Sequence, residues 1–339
     1  MSVIEEAPQP VDHPTRRSGA RLKSFLRGNR RPLSALVFFI VLLAIFTLAN
    51  PTLFLGPRIY NAVFVSLPIP IILVVPLVFL VTAGEIDLSF PSVMGMCAWA
   101  FAAAIQANWN PILAVFAALA MGVVCGLVNG FLVTRVKLSS LVATLGMNFL
   151  LRGLINIGNQ GYGISIAQLR DSPFSKFFIG DIAGFPVQMI WGLLFAAIGW
   201  FLFSRHRFGA QVAVVGDNQD SAREMGINVN RVKTTGYVYI GIACALAAVL
   251  SVLINSTFYP TTGDSYLLSV LAAVYVGGTP TWGGVGTVMG GVIGAFSVGF
   301  IETGIIASGL TGFFTQFFYG LVIILSLISH RFNQGRYRY

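Results

Sequence analysis

Four charged residues, Glu85, Asp87, Arg152 and Glu302, stand in stretches otherwise apolar enough to lie within a membrane. A charge at bilayer depth costs about 2.5–3.5 kcal/mol on insertion scales, so each one needs a reason. The chemistry open to them is recognition and charge pairing. Glu85 reads equally as the lining of a polar cavity or as a structural group. Asp87 precedes a helix start, where with Ser89 it would serve as a cap as readily as a lining. Arg152 and Glu302 carry the charges to pair across helices. Asn129, Asn148 and Asn255 offer amides that would either hydrogen-bond hydroxyls of a substrate or join helices to one another. The candidate pathway set is therefore Glu85, Asp87, Asn148, Arg152, Asn255 and Glu302.

Bond-making chemistry finds no support. The chain has no G-x-x-x-x-G-K-[ST] and no Gly-Lys dipeptide, so it lacks a phosphate-cradling loop. H-E-x-x-H and G-x-S-x-G are also missing, and no His stands within an apolar span to act as a base. His13, His206 and His330 are far apart at the edges of polar segments and do not suggest a metal site. Cys97, Cys125 and Cys244 fall in apolar segments without C-x-x-C spacing and read as small core residues. No enzymatic activity and no cofactor are expected of this chain.

The elements that must position these residues are membrane helices. Hydrophobic residues make up 56% of the chain and charged residues 10%, with mean hydropathy +0.80. Those values describe an all-α, polytopic integral membrane protein and leave no polar region large enough for a soluble domain. The net charge of +9 does not indicate nucleic-acid binding, because the basic residues cluster beside apolar spans rather than forming one face.

The expected organisation is a basic tail over 1–32, a membrane domain over 33–329 and a short tail over 330–339. Seven Lys/Arg between Arg16 and Arg31 favour contact of the first tail with anionic headgroups, a regulatory or partner-binding arm being the alternative. Spans are predicted at about 33–49, 60–82, a third that follows the interruption GEIDLS (84–89) and runs to about 107, then 112–133, 141–157, 187–203, 237–258, 285–306 and 313–328. A block at 267–276 is too short to cross alone and reads as a broken or re-entrant helix. Pro68, Pro70 and Pro76 predict a kinked or broken second span. Counting the short block gives about ten spans with interrupted helices. The fifth span carries Asn148, Arg152 and Asn156 at four-residue steps on one face.

Glycines also recur at four-residue steps: Gly122, Gly126 and Gly130 in the fourth span, Gly286, Gly290 and Gly294 in the ninth. Small residues at this spacing let helix backbones approach closely in lipid. Lysine and arginine fix the orientation. Placing the first tail, Arg135–Lys137, the 205–236 loop and the C-terminus in the cytoplasm puts 17 of the 21 Lys/Arg there. Both termini are then cytoplasmic.

The longest polar run between two apolar blocks is Arg205–Gly236. Within it, GDNQDSAREMG predicts a short helix with Asp217 or Asn218 as N-cap and Ser221 and Glu224 at capping-box spacing. Asp220 and Glu224 lie toward its positive end, Arg223 on its exposed face, and Gly226 where a left-handed C-cap is wanted. Such a helix suits docking on a cytoplasmic partner. A plain solvated connector is the alternative.

GDNQDSAREMGINVNRVK resembles the cytoplasmic loop of the sugar permeases of bacterial ABC importers, the ribose/xylose/arabinose type. GEIDLSFPSVMG (Gly84–Gly95) and GGTPTWGGVGTVMGGVIGA (Gly277–Ala295) resemble two further segments of that family, in the same order. Glu85 and Phe90-Pro91 depart from its usual small residue and Val-Gly. The resemblance implies a bacterial inner-membrane permease subunit that translocates a small sugar or polyol. It implies as partners an ATPase subunit that binds the ATP, an extracytoplasmic sugar-binding protein and a second permease copy. An ion-coupled carrier or channel acting alone is the alternative from another class, and a branched-chain amino-acid permease the alternative within the family.

Overall fold

The computed structural model describes residues 30–334. Both tail readings therefore fall almost wholly outside the described residues. The parts inside, Arg30–Pro32 and residues 330–334, are helical, so the terminal helices run further than the expected bounds.

The described residues form a bundle of α-helices with four two-residue strands. Helix α1 is Arg30–Ala49, followed by one short turn α2 (Pro51–Phe54), α3 (Pro57–Ser66) and α4 (Pro68–Thr82). Proline opens α2, α3 and α4, where its missing N–H costs nothing and its fixed φ suits the first turn. Pro68 cannot continue α3, and the two helices bend by 49° at Leu67. Helix α5 (Phe90–Gln106) follows a seven-residue break. Then come α6 (Pro111–Thr134), α7 (Ser140–Asn159), α8 (Pro173–Ile179) and α9 (Val187–Ser204). The second half holds α10 (Arg207–Asp217), α11 (Gln219–Glu224), α12 (Val229–Asn255), α13 (Tyr266–Val276), α14 (Val288–Ala307) and α15 (Gly312–Gln334).

Among the described residues, seven helices are long and apolar enough to cross a bilayer, and the bent α3–α4 pair makes an eighth. Helices α5 and α13 are apolar but shorter. At 1.5 Å per residue, the 11 residues of α13 span about 16 Å, half the hydrocarbon thickness. The ten apolar segments stand in the expected order.

Burial sorts them. Nearly all of α4 and most of α12, α5 and α13 are buried. Helices α1, α6, α7, α9 and α15 lie outside them and turn large apolar side chains outward, Phe116, Val142 and Phe313 among them. A soluble protein could not carry such a surface; a lipid-facing one must.

Helices α6 and α12 meet along glycines. A Cβ on Gly122 would stand 2.2 Å from the Gly241 carbonyl oxygen, one on Gly126 2.6 Å from that of Tyr237, and one on Gly130 3.0 Å from Thr234 Cα. In α14, Gly290 and Gly294 lie equally close to the Gly277 and Ala273 carbonyl oxygens. Gly286 departs from the expected ladder. It lies in the break before α14, against the Thr82 hydroxyl.

The loop between α7 and α9 is more ordered than a plain connector. Its strand β1 (Ile164–Ser165) pairs antiparallel with β4 (Thr257–Phe258) at the end of α12, and β2 (Asp181–Ile182) pairs with β3 (Phe185–Pro186). Phe178 packs on Phe174 and Trp191, which anchors α8 to α9. Only α9 separates α8 from α10, so a reporter fused after Lys176 should behave as external and one after Arg223 as cytoplasmic. Both reporting the same side would rule out α9 as a crossing.

Candidate functional site

Two helix breaks and one polar loop converge. The first break, 83–89, turns at Gly84 with φ +83°. The second, 277–287, turns at Gly278, Gly283 and Gly284, all with positive φ that other residues avoid. The Gly284 N–H donates to the Thr82 carbonyl at 2.8 Å, which joins the breaks. Gly216, near the end of α10, is wedged between them. A Cβ there would stand 1.7 Å from the Thr82 carbonyl oxygen and 2.6 Å from Gly284 N. Three distant segments thus touch through backbone alone.

The loop is more helical than its sequence suggests. Helix α10 fills 207–217, burying Val212 and Val215, and α12 begins at Val229, eight residues before the expected span and ending three residues short of it. Helix α11 is bounded as its residues dictate. Asn218 is the cap, its Oδ1 accepting the N–H groups of Asp220 at 2.9 Å and Ser221 at 3.0 Å. Ser221 is therefore the third helical residue rather than the cap of a capping box, and Asp217 closes α10. Gly226, φ +77°, donates to the Arg223 carbonyl, and Ile227 N–H to that of Ala222, both at 2.9 Å. These two bonds make a Schellman motif. Ala222 alone in α11 is buried; Asp220, Ser221, Arg223 and Glu224 are exposed, with Met225 beside them. Arg223 also pairs with Asp220 on that outer face.

Glu85 is buried at 8% exposure and forms an ion pair with Lys233 in α12. The first break is thereby tied to the helix that follows α11. Asp87 Oδ1 accepts both the N–H and the hydroxyl of Ser89 at 2.6 Å, and the Ser89 oxygen accepts Asn129 Nδ2 at 2.7 Å. Asp87 Oδ2 and Asn129 Oδ1 are buried without a partner among the described residues.

Helix α7 fastens the first break along one polar stripe. The Ser140 hydroxyl accepts Ile86 N–H at 3.3 Å, Thr144 accepts Leu88 N–H at 3.0 Å, and Asn148 Oδ1 accepts the Ser92 hydroxyl at 2.6 Å. Arg152, next in the series, donates to the Pro260 and Thr262 carbonyls and pairs with Asp264. Asn156 is exposed and takes no part. Arg152 and Glu302 do not pair with each other; the Tyr319 hydroxyl donates to Glu302 at 2.8 Å, bridging α14 and α15. Asn255 spends its amide on the Ser251 carbonyl of its own helix. Of the candidate pathway residues, the structure gathers Glu85, Asp87, Asn148 and Arg152 around the first break and α5, and leaves Asn255 and Glu302 apart.

Lys233, Ser140, Thr144, Asp264 and Tyr319 were not foreseen. Two of them had a signal: Asn148 and Arg152 extend backwards at the same spacing to Thr144 and Ser140. Lys233 had none, being 148 residues from its partner.

The profile of the family described as "Branched-chain amino acid transport system / permease component" matches residues 59–327. The ribose import permease protein RbsC of Escherichia coli (strain K12) is 30% identical over 296 residues, covering 87% of this chain and 92% of the relative. That of Bacillus subtilis (strain 168) is 30% identical over 305 residues, 90% and 94% of the two chains. The autoinducer 2 import system permease protein LsrD of Salmonella paratyphi B (strain ATCC BAA-1250 / SPB7) is 30% identical over 273 residues, 79% and 81%. No solved structure matches. With its membrane helices, paired breaks and near full-length relatives, this chain belongs to that permease family and is a multi-pass protein of the bacterial cytoplasmic membrane.

Proposed function

We propose that the chain is the membrane-spanning permease subunit of an ABC importer for a small sugar or polyol. A separate ATPase subunit drives it, and an external binding protein delivers the substrate. Two permease copies complete the pathway. The observation that carries this reading is α11, a helix closed at both ends whose outer face is free and whose flanking helices grip both breaks. Force applied to α11 passes through α10 to Gly216, and through α12 to Lys233 and Glu85. The names of the relatives favour a sugar-like cargo over the branched-chain amino acids of the family description. Asp87 and Asn129, with acceptors unspent, suit a hydroxyl-rich substrate.

The test has two arms. Uptake of labelled pentoses, hexoses, polyols and branched-chain amino acids, with and without the gene, identifies the cargo. If only amino acids depend on the gene, the sugar reading is lost. For the docking arm, Gly226→Val strains a left-handed position, and Arg223→Glu reverses a charge on the free face. Both variants should insert normally and reduce ATPase pull-down and uptake at least about tenfold, a loss of roughly 1.4 kcal/mol. Parental binding and uptake by both would leave α11 a connector. The purified chain alone should hydrolyse no ATP.

A further inference from the structure

Between β4 and α13 the chain turns back into the bundle instead of running over its rim. Strand β4 is paired with β1 of the loop between α7 and α9, and the Ser256 carbonyl accepts Ile166 N–H at 3.0 Å, so residues 256–258 are held at that rim. The lysine–arginine count puts this rim outside. Segment 259–265 then reaches α5. A Cβ on Gly263, φ +100°, would stand 2.1 Å from the Pro91 carbonyl oxygen, and one on Gly95 2.9 Å from that of Thr262. Gly95 lies 11 residues before the end of α5 and Arg152 seven before the end of α7. At 1.5 Å per residue the contact is about 10 to 16 Å inward from the helix ends. Non-helical backbone at such depth survives only where protein buries it or water reaches it. Both conditions hold here. Gly263 is buried, whereas Tyr259, Thr261, Asp264 and Ser265 are exposed, four polar side chains that suit a watery path and not lipid.

On the transport reading above, we propose that segment 259–265 is the outer gate of the path and that Arg152 is the positioning residue that latches it shut. The Arg152 guanidinium takes three acceptors from the segment: the Pro260 carbonyl, the Thr262 carbonyl at 3.4 Å and the Asp264 carboxylate. Its planar fork of donors suits such a set. The segment's own N–H groups bond within it, Thr262 to the Tyr259 carbonyl at 2.9 Å and Asp264 to that of Thr261 at 3.1 Å, so it is a compact unit able to move as one piece. The two long-range ion pairs differ in what parting them would do. Lys233–Glu85 is sealed, at 9% and 10% side-chain exposure. In Arg152–Asp264 the carboxylate is 50% exposed, so Asp264 can leave and be hydrated at once without becoming a buried lone charge. One turn inward of Arg152, Asn148 accepts from Ser92, and Pro91, Ser92 and Gly95 share the face of α5 that the segment covers. Because β1 belongs to the loop between α7 and α9, a protein docking on that loop would pull on β4 and so on the gate.

The experiment reads thiol reactivity, which needs neither cargo nor ATP, so the gate can fail while the transport reading stands, and the reverse. The full chain carrying Ser92→Cys, in spheroplasts, meets a membrane-impermeant methanethiosulfonate added outside. Ser92 is fully buried, so with the latch intact the new thiol should react slowly. Adding Asp264→Asn should raise the rate about tenfold or more, the loss of a hydrogen bond between charged groups. Asp264→Glu, which keeps the charge, should stay slow. High salt should speed the reaction while the pair is present and have no effect once Asp264→Asn has removed it, because a half-exposed pair is screened. Cys97, Cys125 and Cys244 are buried and serve as folding controls in every variant. Equal rates with and without Asp264→Asn would overturn the proposal. So would labelling of the native cysteines together with Ser92→Cys, since the pair would then hold the fold rather than a gate.

Discussion

Replacing Lys233 by Met is expected to destabilise the folded chain by about 3–5 kcal/mol, because Glu85 is left charged and buried without its partner. Glu85→Gln should cost less, since an amide leaves a cation that can reach along a flexible stem toward water. The double variant Glu85→Gln with Lys233→Met should recover much of the loss. Buried pairs replaced together by neutral groups are often close to neutral. Melting in detergent of the four proteins of this cycle gives the coupling directly. Additive effects would show that the pair holds nothing together. Transport offers a second readout: if the pair carries motion from α12 to the first break, the double variant regains stability without regaining uptake. Recovery of both would make the pair a structural fastener only.

Gly216→Ala is expected to abolish uptake although it adds a single methyl group. That carbon would stand 1.7 Å from the Thr82 carbonyl oxygen, so a backbone must move. Overpacking costs about 1–3 kcal/mol where side chains can adjust, and here none stands in the way to adjust. The Gly284-to-Thr82 hydrogen bond is the feature to fail first. Gly146→Ala, in the middle of α7 with nothing within 4 Å, is the matched control and should transport normally. Uptake by Gly216→Ala at the parental rate would mean that the three segments separate freely during the cycle.

The helices and the cap at Asn218 were legible because their causes are local. A run of apolar residues, a proline at a first turn and a glycine two residues past a helix end act within about ten residues. The hinge at Leu67 was visible in the prolines for the same reason. What stayed hidden depends on the return of the chain. Nothing in Arg207–Asp217 announces that Gly216 faces two breaks, 134 and 68 residues away by Thr82 and Gly284. The polar loop was read by its charges, which masked Phe208, Val212 and Val215 at helical spacing. Arg152 was seen to need a partner, but an acid in the loop after α12 was outside any window centred on it.

The glycine contact of α6 and α12 has a consequence for measuring the cycle. With carbonyl oxygens of one helix seated where Cβ atoms of the other would be, the two backbones have no compressible layer between them. They form a single beam, and sliding one along the other would drive carbonyls into main chain at every turn. Spectroscopic labels placed one on each helix therefore make an internal ruler of constant length. Any distance change seen against that ruler, from α1, α9 or α15, measures motion in the rest of the molecule with the instrument's own drift removed.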